Sequence, residues 1–222
     1  MVISNYFHAL AAGHYAFVDL GCGSGGSIDH CVRRFHRGAG LGFDLDPKDT
    51  AEARRAGYDI VEEDVLTVHV PQRSVAFVSA MDFLEHLPDI TAAAWVLKQF
   101  SPAAREFLFI RHPSFEEMEY LAGLGLKLCW SDWSDHPNIM RLDELVALFE
   151  QLDMTEYAIF PRGLITDSSD DQVVPLSAPT DTKVYDPSIL ERKPLVRFDR
   201  PIFAQYDIFV RLRDGLTDAD WE

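Results

Sequence analysis

The stretch AFVDLGCGSGGSIDH, residues 16–30, constrains what this chain can fold into more than any other. An apolar run containing Asp19 meets four glycines within six residues: Gly21, Gly23, Gly25 and Gly26. Glycine reaches backbone conformations that other residues avoid and lets a main chain approach a ligand closely. A strand that enters such a loop and leaves as a helix offers unpaired helix N-terminal amides, which attract negative charge.

The rest of the chain repeats the alternation of strand and helix periods. Residues 3–12 read as a short helix, Ala16–Leu20 as a buried strand, and Ser27–Phe35 as the helix after the glycine loop. Leu41–Asp44 is a second strand, and Pro47 opens a helix to about Arg55 that Gly57 stops. Strands follow at Asp59–Val61, Val75–Ala80 and Glu106–Arg111, with a helix from Ile90 ended by Ser101–Pro102. A helix from Arg141 leads to strands at Thr155–Phe160 and Gln205–Leu212. This order argues for an α/β fold: a mostly parallel sheet with helices on both faces. No helix pattern separates the last two strands, so the last is expected to be antiparallel to its neighbour. Segment 163–203 carries five prolines, Pro175, Pro179, Pro187, Pro194 and Pro201, and reads as a long connection. It is either a mobile surface insertion or a flap facing a substrate. The tail TDADWE is acidic and reads as frayed.

The 222 residues suit one large domain or two small ones, and 47% apolar residues suffice for a buried core. A formal net charge of −16 makes nucleic acid or an anionic membrane a poor partner, since such binders carry a basic face. The three cysteines, Cys22, Cys31 and Cys129, match no zinc spacing and read as reduced thiols. The N-terminal residues lack a signal-peptide pattern, and no apolar run has the roughly 18–20 residues of a membrane span. A soluble, cytoplasmic protein is expected.

The glycines alone do not choose their ligand. Gly21, Gly23 and Gly26 fit the dinucleotide pattern G-x-G-x-x-G, and the same letters fit a loop that holds S-adenosylmethionine. Both sites want a carboxylate for ribose at the end of the second strand, where Asp44 stands. Three features separate them. Asp19 would repel a pyrophosphate and favour a cationic sulfonium ligand. Asp64 follows the third strand, where it can accept from an adenine amino group. FVSAMDFLEHLPD, residues 77–89, follows the fourth strand.

VDLGCGSGGS, GFDLDP, EEDVL and MDFLEHLPD, in this order and spacing, closely resemble the class I S-adenosylmethionine-dependent methyltransferases. HPNIMRLDELVALFEQLDM looks like the segment before the sixth strand in small-molecule members. The resemblance covers residues 16–162 and, by topology, Gln205–Leu212, but not 163–203. It implies a single domain over residues 1–222 with a Rossmann-like seven-stranded sheet of order 3-2-1-4-5-7-6 and strand 7 antiparallel. It implies that Asp19, Gly21, Cys22, Gly23 and Gly25 line the methionyl end of the cofactor. Asp44 would bind the ribose, Leu45, Asp64 and Val65 the adenine, and Met81 would lie near the sulfonium. Each position has a plainer reading. Asp19 could cap the glycine turn, Asp44 or Asp46 could cap the helix after Pro47, and Asp64 could be a solvated turn residue.

Methyl transfer is an in-line displacement that depends on holding nucleophile, methyl carbon and sulfur in line. A hydroxyl acceptor also needs a base or a metal to lose its proton. His86, His112 and His136 are the candidate bases, with His112 and His136 ahead of His86. Phe115, Trp130 and Trp133 offer an aromatic wall over a substrate, or ordinary packing. Asp132 and Asp135 show no specific metal spacing, and no metal is expected. The expected activity is methyl transfer to a small molecule, at oxygen rather than nitrogen. A non-catalytic cofactor-binding scaffold and a nicotinamide-dependent oxidoreductase are the competing readings.

Overall fold

The computed structural model describes residues 6–212. The start of the helix expected over residues 3–12 and the acidic tail lie outside the described residues. The described helices are α1 (Tyr6–Ala11), α2 (Gly26–Phe35), α3 (Pro47–Ala56), α4 (Ile90–Phe100), α5 (Met118–Gly123) and α6 (Leu142–Gln151). The strands are β1 (Phe17–Leu20), β2 (Gly40–Asp44), β3 (Asp59–Glu62), β4 (Val75–Met81), β5 (Ala104–Pro113), β6 (Leu126–Leu128), β7 (Tyr157–Asp167), β8 (Val173–Pro175) and β9 (Arg197–Arg211).

Seven strands form one sheet of order β3-β2-β1-β4-β5-β9-β7. Counting only these strands along the chain, this is the expected 3-2-1-4-5-7-6. The pairs β1–β2, β1–β4, β2–β3 and β4–β5 are parallel, while β9 runs antiparallel to both β5 and β7. Strand side chains alternate between faces, and here the alternation sorts two cores. Val18, Leu20, Val78, Ala80, Leu108 and Ile110 pack with Leu10 of α1, Val96 of α4 and Leu148 of α6. Phe17, Phe77, Phe107, Phe109 and Phe209 face the other way, with Ile28 of α2 and Ala53 of α3. Within that second core Phe17, Phe77 and Phe107 stack in a row across three strands, at centroid spacings of 4.7 and 4.9 Å. Such cross-strand aromatic contacts help fix the register.

Segment 163–203 is more ordered than a connecting loop. Its first residues extend β7 to Asp167, its last belong to β9, and β8 pairs antiparallel with β6. Prolines hid the strands. Pro161 lies on β7, the last strand of the sheet, and Pro201 lies where the β7–β9 register shifts. Edges and bulges are where a strand tolerates a residue without N–H. The short α5 and β6, also unexpected, build with β8 and the β7–β9 ends a third core around Phe115, Leu128, Ile165, Val174 and Ile202. This lobe grows from the carboxyl end of β5, on the side of the sheet where the glycine loop sits.

Candidate active site

Because β3, β2, β1 and β4 are parallel neighbours, the residues that follow them form one row. Gly21, Asp44, Asp64 and Asp82 stand at or just beyond the four strand ends and line a cavity of about 620 Å³, with Gly23, Leu45, Val65, Phe83 and His86. A second cavity of about 390 Å³ lies toward the lobe, lined by Glu85, Trp130, Trp133, His136, Gln172, Lys183 and Gln205. Asp82 and His86 belong to both walls, so the cavities meet there.

The glycine loop is tied to its neighbour strand: Gly21 N and Cys22 N donate to Phe43 O at 2.9 and 3.1 Å. Gly21 has φ +65°, and a Cβ there would overlap the ring of Phe83. Both facts demand glycine. Gly23 N donates to Asp44 Oδ2 at 2.8 Å and Asp46 N to Asp44 Oδ1 at 2.9 Å. Asp46 caps α3 by accepting from Lys48 N and Asp49 N, so the capping role falls to Asp46 and not to Asp44. Each Asp44 oxygen keeps acceptor capacity. Leu45 is 61% exposed and Val65 is buried beside it on the same wall. Asp64 turns one oxygen to Leu66 N at 2.9 Å. Gly25 precedes α2, and Gly26 is the first residue of that helix rather than part of a phosphate loop.

Asp19 is fully buried beneath the loop. It accepts from Ser27 Oγ, and from Ser79 Oγ at 2.6 Å, its register partner on β4. Burial outweighs these hydrogen bonds and pushes its carboxyl up to about 6. A buried acid with a raised value favours the fold below its ordinary 3.8, and that advantage is lost as pH rises through about 6. Asp19→Asn, which cannot ionise, is expected to melt higher than the parent at pH 8 and no higher near pH 4. Thermal unfolding at the two pH values without ligand checks this, and a gain of equal size at both would defeat it. Cys22 and Met81 line an outer groove beside the loop, with Arg111 and His30.

The three candidate histidines are brought close together but placed differently. His136 is buried and lines the second cavity; its Nδ1 sits 3.0 Å from Trp130 O, and burial holds it below the ordinary imidazole range. His86 is exposed in the cavity junction, with Nδ1 2.7 Å from Asp135 O. Its ring packs edge-on to that of His136 at 4.8 Å. His112 is 1% exposed and lines neither cavity; Nε2 sits 3.1 Å from Met140 O and Nδ1 faces Glu85 Oε2 at 3.4 Å. His112 thus sits inside the wall, while His136, expected ahead of His86, and His86 itself are the two that reach a cavity. The aromatic residues divide likewise. Trp130 and Trp133 line the second cavity, their indoles donating to Ser114 O and Thr182 O at 2.9 and 2.8 Å, while Phe115 packs behind His136.

Sequence reading passed over Asp82, Glu85, Gln172, Lys183 and Gln205. Asp82 has φ +48° and accepts from Gln205 Nε2 at 2.8 Å. It opens onto both cavities, but their walls withdraw water from it and, with Glu85 nearby, push it up to about 6. Lys183 Nζ lies 3.4 Å from the centre of the Trp133 ring. The MDFLE string was a visible signal for Asp82 and Glu85. Gln172 and Lys183 sit in the proline-rich segment and had none.

The first cavity has a marked electrostatic bias. Asp44, Asp49, Glu63, Asp64 and Asp82 line it, and among the described residues no lysine or arginine does. Such a wall opposes a pyrophosphate and suits a ligand with cationic groups.

A family model described as a methyltransferase domain matches residues 10–155. No curated protein sequence gives a match. The fold is similar to that of a S-adenosylmethionine-dependent methyltransferase from Archaeoglobus fulgidus, with TM-score 0.60 and 16% identity over 94% of this chain and 90% of that one. It is similar to the magnesium protoporphyrin IX methyltransferase of Synechocystis, solved with S-adenosylhomocysteine bound, at TM-score 0.51 and 12% identity over 94% and 81%. It is also similar to the small RNA methyltransferase HEN1, at TM-score 0.56 and 18% identity over 95% of this chain and 25% of that one. Family match, sheet order and an acidic, glycine-edged cavity agree: the chain belongs to the methyltransferase-domain family and is a S-adenosylmethionine-dependent methyltransferase.

Proposed function

We propose that the first cavity holds S-adenosylmethionine and the second a small-molecule acceptor, which is methylated at a hydroxyl oxygen. The observation that carries this reading is the junction: Asp82 and His86 line both cavities, so a ligand in one faces a ligand in the other. The donor supplies an electrophilic methyl carbon on a positively charged sulfur. Asp44 accepts from the ribose hydroxyls, Leu45 and Val65 flank the adenine, and Asp64 takes its amino group. Gly21 and Gly23 let the main chain lie against the methionyl part, and Asp19 below them offsets its ammonium charge.

In the second cavity Trp130 and Trp133 present flat apolar walls, and Lys183 and Gln172 give orienting polar contacts. Such a mixture holds a small ligand in one pose, and pose is most of what an in-line displacement requires. His136, neutral at physiological pH, faces this cavity with one nitrogen free. A neutral imidazole takes a proton from a hydroxyl. The O–CH3 bond forms as the S–CH3 bond breaks, the bonding pair returns to sulfur, and the hydroxyl proton leaves to base or solvent. One fold neighbour is named for small RNA. Here a formal charge of −16 and a cavity walled by Trp130 and Trp133 favour a small acceptor.

Two measurements test the reading. S-adenosylhomocysteine at 100 times its dissociation constant is expected to stabilise the protein by about 2.7 kcal/mol, with NAD giving no shift. A panel of hydroxylated and amino acceptors is expected to release S-adenosylhomocysteine with the former. Turnover confined to amines would overturn the oxygen assignment.

A further inference from the structure

We propose that Glu85, His86 and His136 form a binding site for a divalent first-row transition-metal cation in the wall of the acceptor cavity, where the cation holds the oxygen to be methylated. One ligand atom from each of the three residues lies within 4.8 Å of the others, close enough for one ion to draw all three in. The role assigned to the cation rests on the oxygen-acceptor reading above; the site itself does not.

Two features separate this group from a chance cluster. The first is the state of the imidazoles. His86 Nδ1 faces Asp135 O at 2.7 Å and His136 Nδ1 faces Trp130 O at 3.0 Å. A carbonyl only accepts, so each Nδ1 carries the proton and each Nε2 presents a lone pair. A carbonyl behind Nδ1 is the arrangement that orients metal-binding histidines. The second is Glu85. It is 1% exposed, and its Oε2 has no hydrogen-bond donor. The nearest group, His112 Nδ1 at 3.4 Å, is also without a partner, and His112 already directs Nε2 to Met140 O. No hydrogen bond joins the two atoms, so the carboxylate oxygen is left without a donor. Burying a carboxylate without a donor or a cation is costly.

Two imidazole nitrogens and one carboxylate oxygen match the His2Glu sets of open zinc sites and the facial sets of non-haem iron. Imidazole suits zinc, copper, iron or nickel better than magnesium or calcium. All three residues line the acceptor cavity, and His86 also lines the donor cavity. The open coordination positions therefore face the junction. With the cation bound, His136 Nε2 is a ligand in place of the base, and a hydroxyl held on the cation loses its proton to solvent more readily than a free one.

Cobalt(II) is the probe, because its visible absorption reports the ligand set. Tag-free full-length protein titrated with Co2+ is expected to bind one equivalent and to develop visible bands. His136→Gln, His86→Gln and Glu85→Gln are each expected to weaken binding by about 100-fold or more, while His14→Gln, at an exposed site on another surface, is expected to leave it unchanged. His136→Gln lines only the acceptor cavity and should keep its affinity for S-adenosylhomocysteine, which certifies its fold. If that buried position does not tolerate glutamine, the exposed His86→Gln decides. Absence of saturable Co2+ binding overturns the proposal, as does binding that survives both histidine replacements. S-adenosylhomocysteine binding without Co2+ binding removes the metal site and leaves the donor reading; the reverse leaves the metal site and removes the donor reading.

Discussion

Asp44→Ala is expected to weaken S-adenosylhomocysteine binding by about 100-fold, close to 2.7 kcal/mol. Two terms add. A hydrogen bond to a charged group is worth about 1.5–3 kcal/mol, and alanine removes the carboxylate proposed to accept from the ribose hydroxyls. Alanine also releases Gly23 N and Asp46 N, which Asp44 now holds at 2.8 and 2.9 Å, so the glycine loop keeps only its main-chain bonds to Phe43 O of β2. The control is Asp46→Ala. Asp46 caps α3 and does not line the cavity, so its loss is expected to cost about 1 kcal/mol of stability with little change in affinity. Calorimetric titration of both variants separates the roles. An Asp44→Ala protein that binds within about threefold of the parent would show that the ribose contact lies elsewhere.

That Asp44 and Asp46 have different tasks was open in the sequence, since GFDLDP supplies either residue to either role. The distinction is one of side-chain direction, and only the closeness of β1 to β2 decides it. The features legible in advance were those with a short-range cause. The glycine loop, Pro47 at a helix start and Gly57 at its end all act within a few residues. The alternation of elements and the missing helix before β9 gave a mostly parallel sheet with an antiparallel last strand, and the strand order itself came from the resemblance to class I methyltransferases. What stayed hidden depends on contacts distant along the chain. β6 and β8 are three-residue strands that exist only because they pair with each other. The second cavity draws Glu85 from the turn after β4, Trp133 from the turn after β6, and Lys183 from the segment before β9. His112 read equally as a base or as a strand-end histidine bonding a backbone carbonyl, and only the approach to α6, where Met140 O takes Nε2, separates the two. Asp207, a charged residue in the apolar run YDIFV, drew no notice at all, and it is central to the sheet.

Asp207→Ala is expected to destabilise the protein by about 3 kcal/mol, toward the lower end of the range for breaking a buried ion pair. Asp207 has no exposed surface. Its carboxylate accepts from Arg111 Nε at 2.7 Å and from Arg162 Nε at 3.0 Å, with Arg34 Nη1 at 3.7 Å. One side chain on β9 thus joins β5, β7 and α2. Arg34 also lies over the rings of Phe35, Phe109 and Phe209 at about 5.5 Å, so the charge cluster and the aromatic core share a boundary. Alanine would leave three guanidiniums repelling one another. The cost stays near the lower end because Arg162 is 45% exposed and can turn to water. Burial alone would raise the Asp207 carboxyl, but the Arg111 hydrogen bond and the three positive charges outweigh it and hold the group below its ordinary 3.8. A depressed carboxyl contributes its stability above the unfolded value and loses it as pH falls through the folded one. The gap between parent and variant in urea denaturation is therefore expected to be constant from about pH 5 upward and to narrow below pH 4. The urea slope should not change, since alanine leaves the surface exposed on unfolding almost the same. A gap that persists undiminished at pH 3 would assign the loss to packing around β9 and not to charge.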